Sequence, residues 1–340
     1  MNIKKIGLSA LAGSLAVVSA NAVELTVSGK TEVTYVSNDG ASTGNPFGMG
    51  NSIVFSGSGD VNGMTATYTA AINDQGSVNT TTNEVFASAS LMLDMGDMGT
   101  VGFDQGVGEF GVSTIDDKTP YAYEEQWSYT GASNGLRAAG GTNVLGYKNT
   151  FAGYQLSLEI DPGHTNLSAK GGTADAASTG EATNDSGFNF ALTGSPMDGV
   201  SAGLGYGQED HKDDVLAADS DSKFYTAFAN YAIGAATVGL QRSSASGGAT
   251  GTSSNEVTIM GASYSVNENL AISASRMDNK FGLGSIAGVQ GEVTEKTRGI
   301  GASYTMGSAS VRLLSSDTDN VGGSTVVDKK HTEISLMLAF

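Results

Sequence analysis

Three short stretches of this chain have residue types and spacings that could do chemistry. Gly106-Val-Gly-Glu-Phe-Gly111 matches the G-x-G-x-x-G phosphate-binding turn and follows a strand. That chemistry needs a helix opening at the turn, but Ser113 to Pro120 is polar, acidic and broken by proline, so no dinucleotide site is expected. Gly199-Val-Ser201-Ala-Gly203 matches the hydrolase elbow, which requires a strand before the serine and a helix after it. Ser201 instead follows a turn and falls on the polar parity of a new strand, where it reads as a water-facing residue. Asp317-Thr-Asp319-Asn-Val-Gly322 with Asp328 is spaced like part of a calcium loop. Val321 stands at its fifth position and no glutamate closes it, which leaves Asp317, Asp319 and Asp328 as weak candidates for loosely bound Ca²⁺ and no other metal or cofactor in view. His164, His211 and His331 are isolated and make no zinc motif.

The elements that would have to position any such site are strands. The chain has 48 Gly, 4 Pro and no Cys in 340 residues, which suits extended segments joined by turns and removes disulfides and thiolate metal sites. Its 35 acidic residues against 17 Lys and Arg give a formal charge of −18, which would repel a phosphate backbone, so no nucleic-acid partner is expected. Lys4 and Lys5 precede an apolar run from Ile6 to Val18, and Ala20-Asn21-Ala22 is a small-residue cleavage site. Residues 1–22 are therefore expected to be a cleaved export signal, leaving 23–340 as the mature chain.

From there, apolar and polar residues alternate along one segment after another. Leu25, Val27, Val33 and Tyr35 oppose Ser28, Lys30, Glu32 and Thr34 in the first, and Ile334, Leu336, Leu338 and Phe340 oppose His331, Glu333 and Ser335 in the last. Short turns such as Val61-Asn62-Gly63, Gly96 to Gly99, Ala152-Gly153 and Gly307-Ser308 alternate with long polar connections, and about sixteen strands result. Aromatic residues fall in two bands, Phe151, Tyr231, Tyr264, Tyr304 and Phe340 near the short turns and Tyr35, Tyr206 and Phe281 toward the long loops. Two strands, Lys223 to Ile233 and Glu256 to Val266, are apolar on both parities, and the pattern leaves open which face meets lipid. The segment 106–142 breaks the rhythm and is too long for an ordinary connection.

An exported chain of alternating strands, short turns at one end, long loops at the other and a C-terminal Phe resembles the general porins of Gram-negative outer membranes. The resemblance implies an all-β transmembrane antiparallel barrel of about sixteen strands, with a long third loop, here 106–142, folded into the lumen as a constriction. It implies Asp104, Glu109, Asp116 and Asp117 on the acidic side of that constriction and Lys30, Lys148 and Arg312 on a facing basic side, with Glu32 and Glu333 also toward the lumen. It further implies Phe340 as closing residue and assembly signal read by barrel-assembly machinery, a homotrimer in outer-membrane lipid, and passive diffusion of small hydrophilic solutes; the strong acidity of the chain adds an expected mild preference for cations. A secreted Gly-rich β-structural or surface-layer protein is the rival reading, and it would show a fixed short repeat such as G-G-x-G-x-D that this chain lacks. A barrel enzyme is the other, and no credible nucleophile or metal set supports it.

Overall fold

The computed structural model describes residues 24–39, 44–74, 88–126, 143–162, 186–209, 222–246, 255–282 and 293–340. The expected signal 1–22, the part of the constriction region at 127–142, and His164 and His211 lie outside them. Sixteen strands follow in order: β1 (Glu24–Asn38), β2 (Phe47–Val61), β3 (Met64–Asp74), β4 (Ser88–Asp94), β5 (Thr100–Gln105), β6 (Val144–Phe151), β7 (Tyr154–Asp161), β8 (Gly187–Met197), β9 (Val200–Glu209), β10 (Ser222–Ile233), β11 (Ala236–Ser246), β12 (Asn255–Ser265), β13 (Leu270–Phe281), β14 (Val293–Met306), β15 (Ala309–Asp319) and β16 (Lys329–Ala339). Each pairs antiparallel with its sequence neighbours and β16 returns to β1, so the sheet closes into a barrel with no free edge.

The seam is made by the ends of the chain. Lys30 pairs with Ala339 and Asn38 with His331, and beyond the ladder Gly29 N–H donates to Phe340 O at 2.8 Å while Phe340 N–H donates back to Gly29 O at 2.9 Å. A Cβ on Gly29 would come within 2.6 Å of the Phe340 ring, so glycine leaves room for the terminal aromatic. At the same, short-turn end of the barrel wall Asn62 and Gly63 both adopt positive φ, 55° and 83°, the turn that suits the right-handed twist of the β2–β3 hairpin.

Burial is inverted relative to a water-soluble domain. On β16 the apolar Ile334 and Leu336 are each 47% exposed, whereas Glu333 on the opposite parity is 2% exposed. The same sorting puts Leu158, Leu204, Tyr231, Leu240, Ile272, Ile300 and Val311 on the outer surface, which is what a wall solvated by lipid requires. The outer aromatics gather at both rims. Phe151, Tyr231, Tyr264 and Tyr304 lie exposed by the short turns, while Tyr35 packs on Phe47 at 5.4 Å and Tyr206 on Tyr225 at 5.0 Å toward the long loops.

The two strands with apolar residues on both parities are resolved by what covers their inner side. In β10, Tyr225, Tyr231 and Ile233 face out, and Phe224 and Phe228 face in, buried with Val112 and Ile115 of the β5–β6 connection. In β12, Met260 and Tyr264 face out, and Val257 and Ile259 face in and bury with Met277 of β13. Two boundaries differ from the sequence pattern. β2 already begins at Phe47, where it pairs with Tyr35. β15 runs on to Asp319, so Asp317 and Asp319 sit in a ladder opposite Arg298 and Lys296 and not in a loop.

Candidate functional site

The site is built by residues 106–126, which leave β5 and track along the polar inner wall. Asp104, at the end of β5, sets the departure: its two carboxylate oxygens accept the Val107 and Glu109 N–H groups at 2.7 and 2.6 Å. Phe110 then inserts against Gly102 and Gly146, positions where any Cβ would collide with its ring. Val112 and Ile115, on a short 3₁₀ turn (Gly111–Ile115), sit in the same way over Gly205, and Pro120 over Gly239 and Gly261. Small wall residues thus let a whole chain segment lie close to the sheet.

Polar side chains of the wall satisfy the segment's backbone. Ser157 of β7 accepts from Gly111 N at 2.8 Å, Asn189 of β8 from Val112 N at 2.8 Å, Gln241 of β11 from Lys118 N at 2.8 Å, and Ser273 of β13 from Ala122 N at 2.9 Å. Asn230 of β10 donates to Lys118 O at 2.7 Å. Backbone groups out of reach of bulk water cost about 1–3 kcal/mol each if left unpaired, so these side chains fix the path of the segment and not merely its neighbourhood.

The segment ends against the seam. Tyr123 O–H reaches Glu333 Oε1 of β16 at 2.5 Å and Glu32 Oε1 of β1 at 3.0 Å. Arg312 of β15 makes an ion pair with Glu32, donates from Nε to Ser335 Oγ at 3.1 Å, and lays its guanidinium 4.4 Å from the centroid of the Tyr123 ring. His331 Nε2 stands 3.4 Å from Glu333, and its Nδ1 meets Asn38 Oδ1. Beside this cluster opens a cavity of about 530 Å³ bordered by Lys30, Glu32, Ser52, Tyr123, Glu124 and Glu333. Tyr121, two residues before Tyr123, has its hydroxyl pKa pushed above the usual phenol range by burial and by the carboxylates of Glu125, Asp117 and Glu124, so it stays neutral.

Lys30, Glu32, Arg312 and Glu333 are therefore brought together at the seam as alternation and closure require. Two expected roles change. Asp104 is 2% exposed and holds a turn, because the N–H groups of the departing chain claim both its oxygens. Lys148 does not stand across the lumen from the acidic segment: its Nζ pairs with Glu109 Oε2 at 2.8 Å and lies 5.4 Å from the Phe110 ring centroid, since β6 adjoins the strand from which the segment departs. Asp116 and Asp117 lie half-buried on the segment between Ile115 and Pro120. Of the calcium candidates, Asp319 pairs with Arg298 at 3.5 Å and Asp328 Oδ1 accepts Asn320 N–H at 3.0 Å. No group of three or more metal-ligating side chains occurs among the described residues. The sequence pattern passed over Tyr123, Asn189 and Gln241. The available signal was long polar side chains, and bare glycines, on the inward parity of strands.

Comparison with known proteins bears on the same architecture. The sequence profile described as Gram-negative porin matches residues 7–316. A comparison with curated protein sequences finds no match. Among solved structures, the chain is similar to Salmonella typhi OmpF in complex with daunomycin, at 13% identity and a TM-score of 0.71, over 94% of this chain and 99% of that one. It is similar to the trimer form of OmpT, an outer membrane protein of Vibrio cholerae, at 12% identity and a TM-score of 0.67, covering 94% and 100%. An anion-selective porin from Comamonas acidovorans aligns at 15% identity and a TM-score of 0.64, again over 94% and 100%. Identities this low speak for the shared barrel alone, and the profile, which runs over nearly the whole length, speaks for descent. A closed sixteen-stranded barrel with an apolar outside, a polar inside and this profile match places the chain in the Gram-negative porin family, an outer-membrane channel family.

Proposed function

We propose that the protein is a passive diffusion channel for small hydrophilic solutes and ions, without chemical catalysis, and that residues 106–126 form its narrowest passage together with the seam wall of β16, β1 and β2. The observation that carries this reading is the span of the segment: it is bonded to Ser157, Asn189, Gln241 and Ser273 on one arc of the wall and to Glu32 and Glu333 on another. Solute passing the barrel at that level has to pass beside it.

The passage prefers cations in this reading. The segment carries Glu109, Asp116, Asp117, Glu124 and Glu125 against a single base, Lys118. Of the inward bases, Arg312 on the facing wall is committed to Glu32 and Lys148, beside the start of the segment, to Glu109, which leaves Lys30 as the wall base bordering the cavity without an ion pair among the described residues. Carboxylates lining a narrow aqueous passage favour positive ions. Reversal potentials in a salt gradient test this directly. Wild type is expected to be cation-selective, and Asp116→Asn with Asp117→Asn to move the reversal potential measurably toward zero. An unchanged value would remove these two residues from the passage.

Export through cleavage after Ala22, assembly through Phe340, and a homotrimer complete the proposal. The trimer is supported by the trimer form of the Vibrio cholerae protein.

A further inference from the structure

The outer wall of β13 to β16 carries a feature that conduction does not use. Arg276 of β13 and Arg298 of β14 occupy directly paired positions on the outward parity, with side chains 46% and 62% exposed. The row continues through Asp317 of β15, paired with Arg298, to Lys330 of β16, paired with Asp317. Like charges set directly opposite across an antiparallel pair destabilise it. Arg276 pairs with Asp278 at 2.8 Å, and Arg298 with Asp319 at 3.5 Å beside its ladder partner Asp317, but a guanidinium carries five N–H donors and these carboxylates leave several unused. Those unused donors, set side by side on the paired strands, can take an anion between the two arginines.

The row lies on the long-loop side of Ile300 and Ile334, at the upper edge of the apolar outer band. Directly beneath it a groove of about 580 Å³ is floored by small side chains, Ala274, Ser315 and Thr332, with Ile300 beside them. A soluble anion has no use for that floor. A lipid has, because its chain fills a shallow apolar channel while its headgroup stays at the interface.

We propose that Arg276 and Arg298 bind the phosphate of an outer-leaflet lipid headgroup, with an acyl chain of the same lipid lying in the groove over Ala274 and Ser315. Arginine forks match phosphate oxygens two at a time, which gives the pair its specificity for a phosphate over a point charge. Asp317, next in the row, repels the phosphate and confines it to the β13–β14 side. Lys330 lies beyond Asp317 and contributes to the general field.

Titration of the detergent-solubilised protein with dihexanoyl phosphatidic acid, followed by native mass spectrometry, tests the site against dihexanoyl phosphatidylcholine and inorganic phosphate. Wild type is expected to bind phosphatidic acid in preference to both. Arg276→Gln with Arg298→Gln is expected to weaken that binding about tenfold, Asp317→Asn to strengthen it, and Arg242→Gln, on the same outer belt but paired with Glu256, to leave it unchanged. Single-channel conductance of the double variant is expected to match wild type, because the site lies outside the lumen. If the double variant does not fold, judged by its heat-sensitive electrophoretic mobility, Arg298→Gln alone is scored with the same expectation of weaker binding. Equal affinity of wild type and the arginine variant, or of Asp317→Asn and wild type, overturns the proposal. So does inorganic phosphate binding as tightly as phosphatidic acid, which would mark a free-anion site.

Discussion

Tyr123 has one hydroxyl proton and faces two carboxylates, Glu333 at 2.5 Å and Glu32 at 3.0 Å. Only one bond can be fully made at a time, so the proton is shared between β16 and β1, with Arg312 stacked on the ring to offset the second negative charge. Hydrogen bonds to charged groups contribute about 1.5–3 kcal/mol, enough to hold the end of the segment against thermal motion by a factor of ten or more. Tyr123→Phe keeps the ring over Arg312 and removes the bond. Its open-channel current noise is expected to exceed that of wild type several-fold, with mean conductance nearly unchanged. Noise equal to wild type would mean the segment is held elsewhere.

At the scale of the element, the β5–β6 segment is held by two kinds of contact that fail differently. Its polar contacts set the path, and its apolar contacts, Val112 and Ile115 against Phe224 and Phe228, contribute burial. Each such side chain contributes about 1.5–3 kcal/mol when fully buried. Replacing Ile115 by Asp places an unpaired carboxylate among those rings, which costs more than the contact supplied. Ile115→Asp is expected to release the middle of the segment and to alter single-channel conductance by a third or more while the barrel still folds, since β10 keeps its pairing with β9 and β11. A conductance indistinguishable from wild type would show that this stretch does not border the passage. The inward Phe224 and Phe228 were visible in the sequence, but only as a conflict of parity, because the partner that hides them is more than a hundred residues away in the chain. In the same way Asp317 and Asp319 suggest a loop by composition, and the ladder with β14 extends over them because Lys296 and Arg298 stand opposite.

For the whole molecule, closure is the step that turns sixteen hairpin-joined strands into a channel. It rests on the β1–β16 ladder and on the two bonds between Gly29 and Phe340 beyond its end. Deleting Phe340 removes those bonds and a ring that is 71% exposed on the outer surface. The deletion variant is expected to reach the outer membrane at several-fold lower level, measured by immunoblot of membrane fractions, while protein that does insert conducts like wild type. Undiminished insertion would remove Phe340 from the assembly signal.

What the sequence by itself determined is everything that a period of two can encode. Strand parity, strand number, the alternation of short turns with long loops and the closing terminal strand all follow from local patterning, because lipid outside and water inside impose opposite demands on adjacent residues. It also put Lys30, Glu32, Arg312 and Glu333 on the polar side of the first and the last two strands, which closure of an even-stranded barrel brings together. The tertiary structure decided the pairing of charges. Lys148 and Arg312 both point inward as alternation says, yet one meets Glu109 and the other Glu32, so neither remains an unpaired base. Parity fixes the side of the wall a residue faces, but the path of an irregular segment is fixed by backbone hydrogen bonds to distant strands, and no local pattern records those.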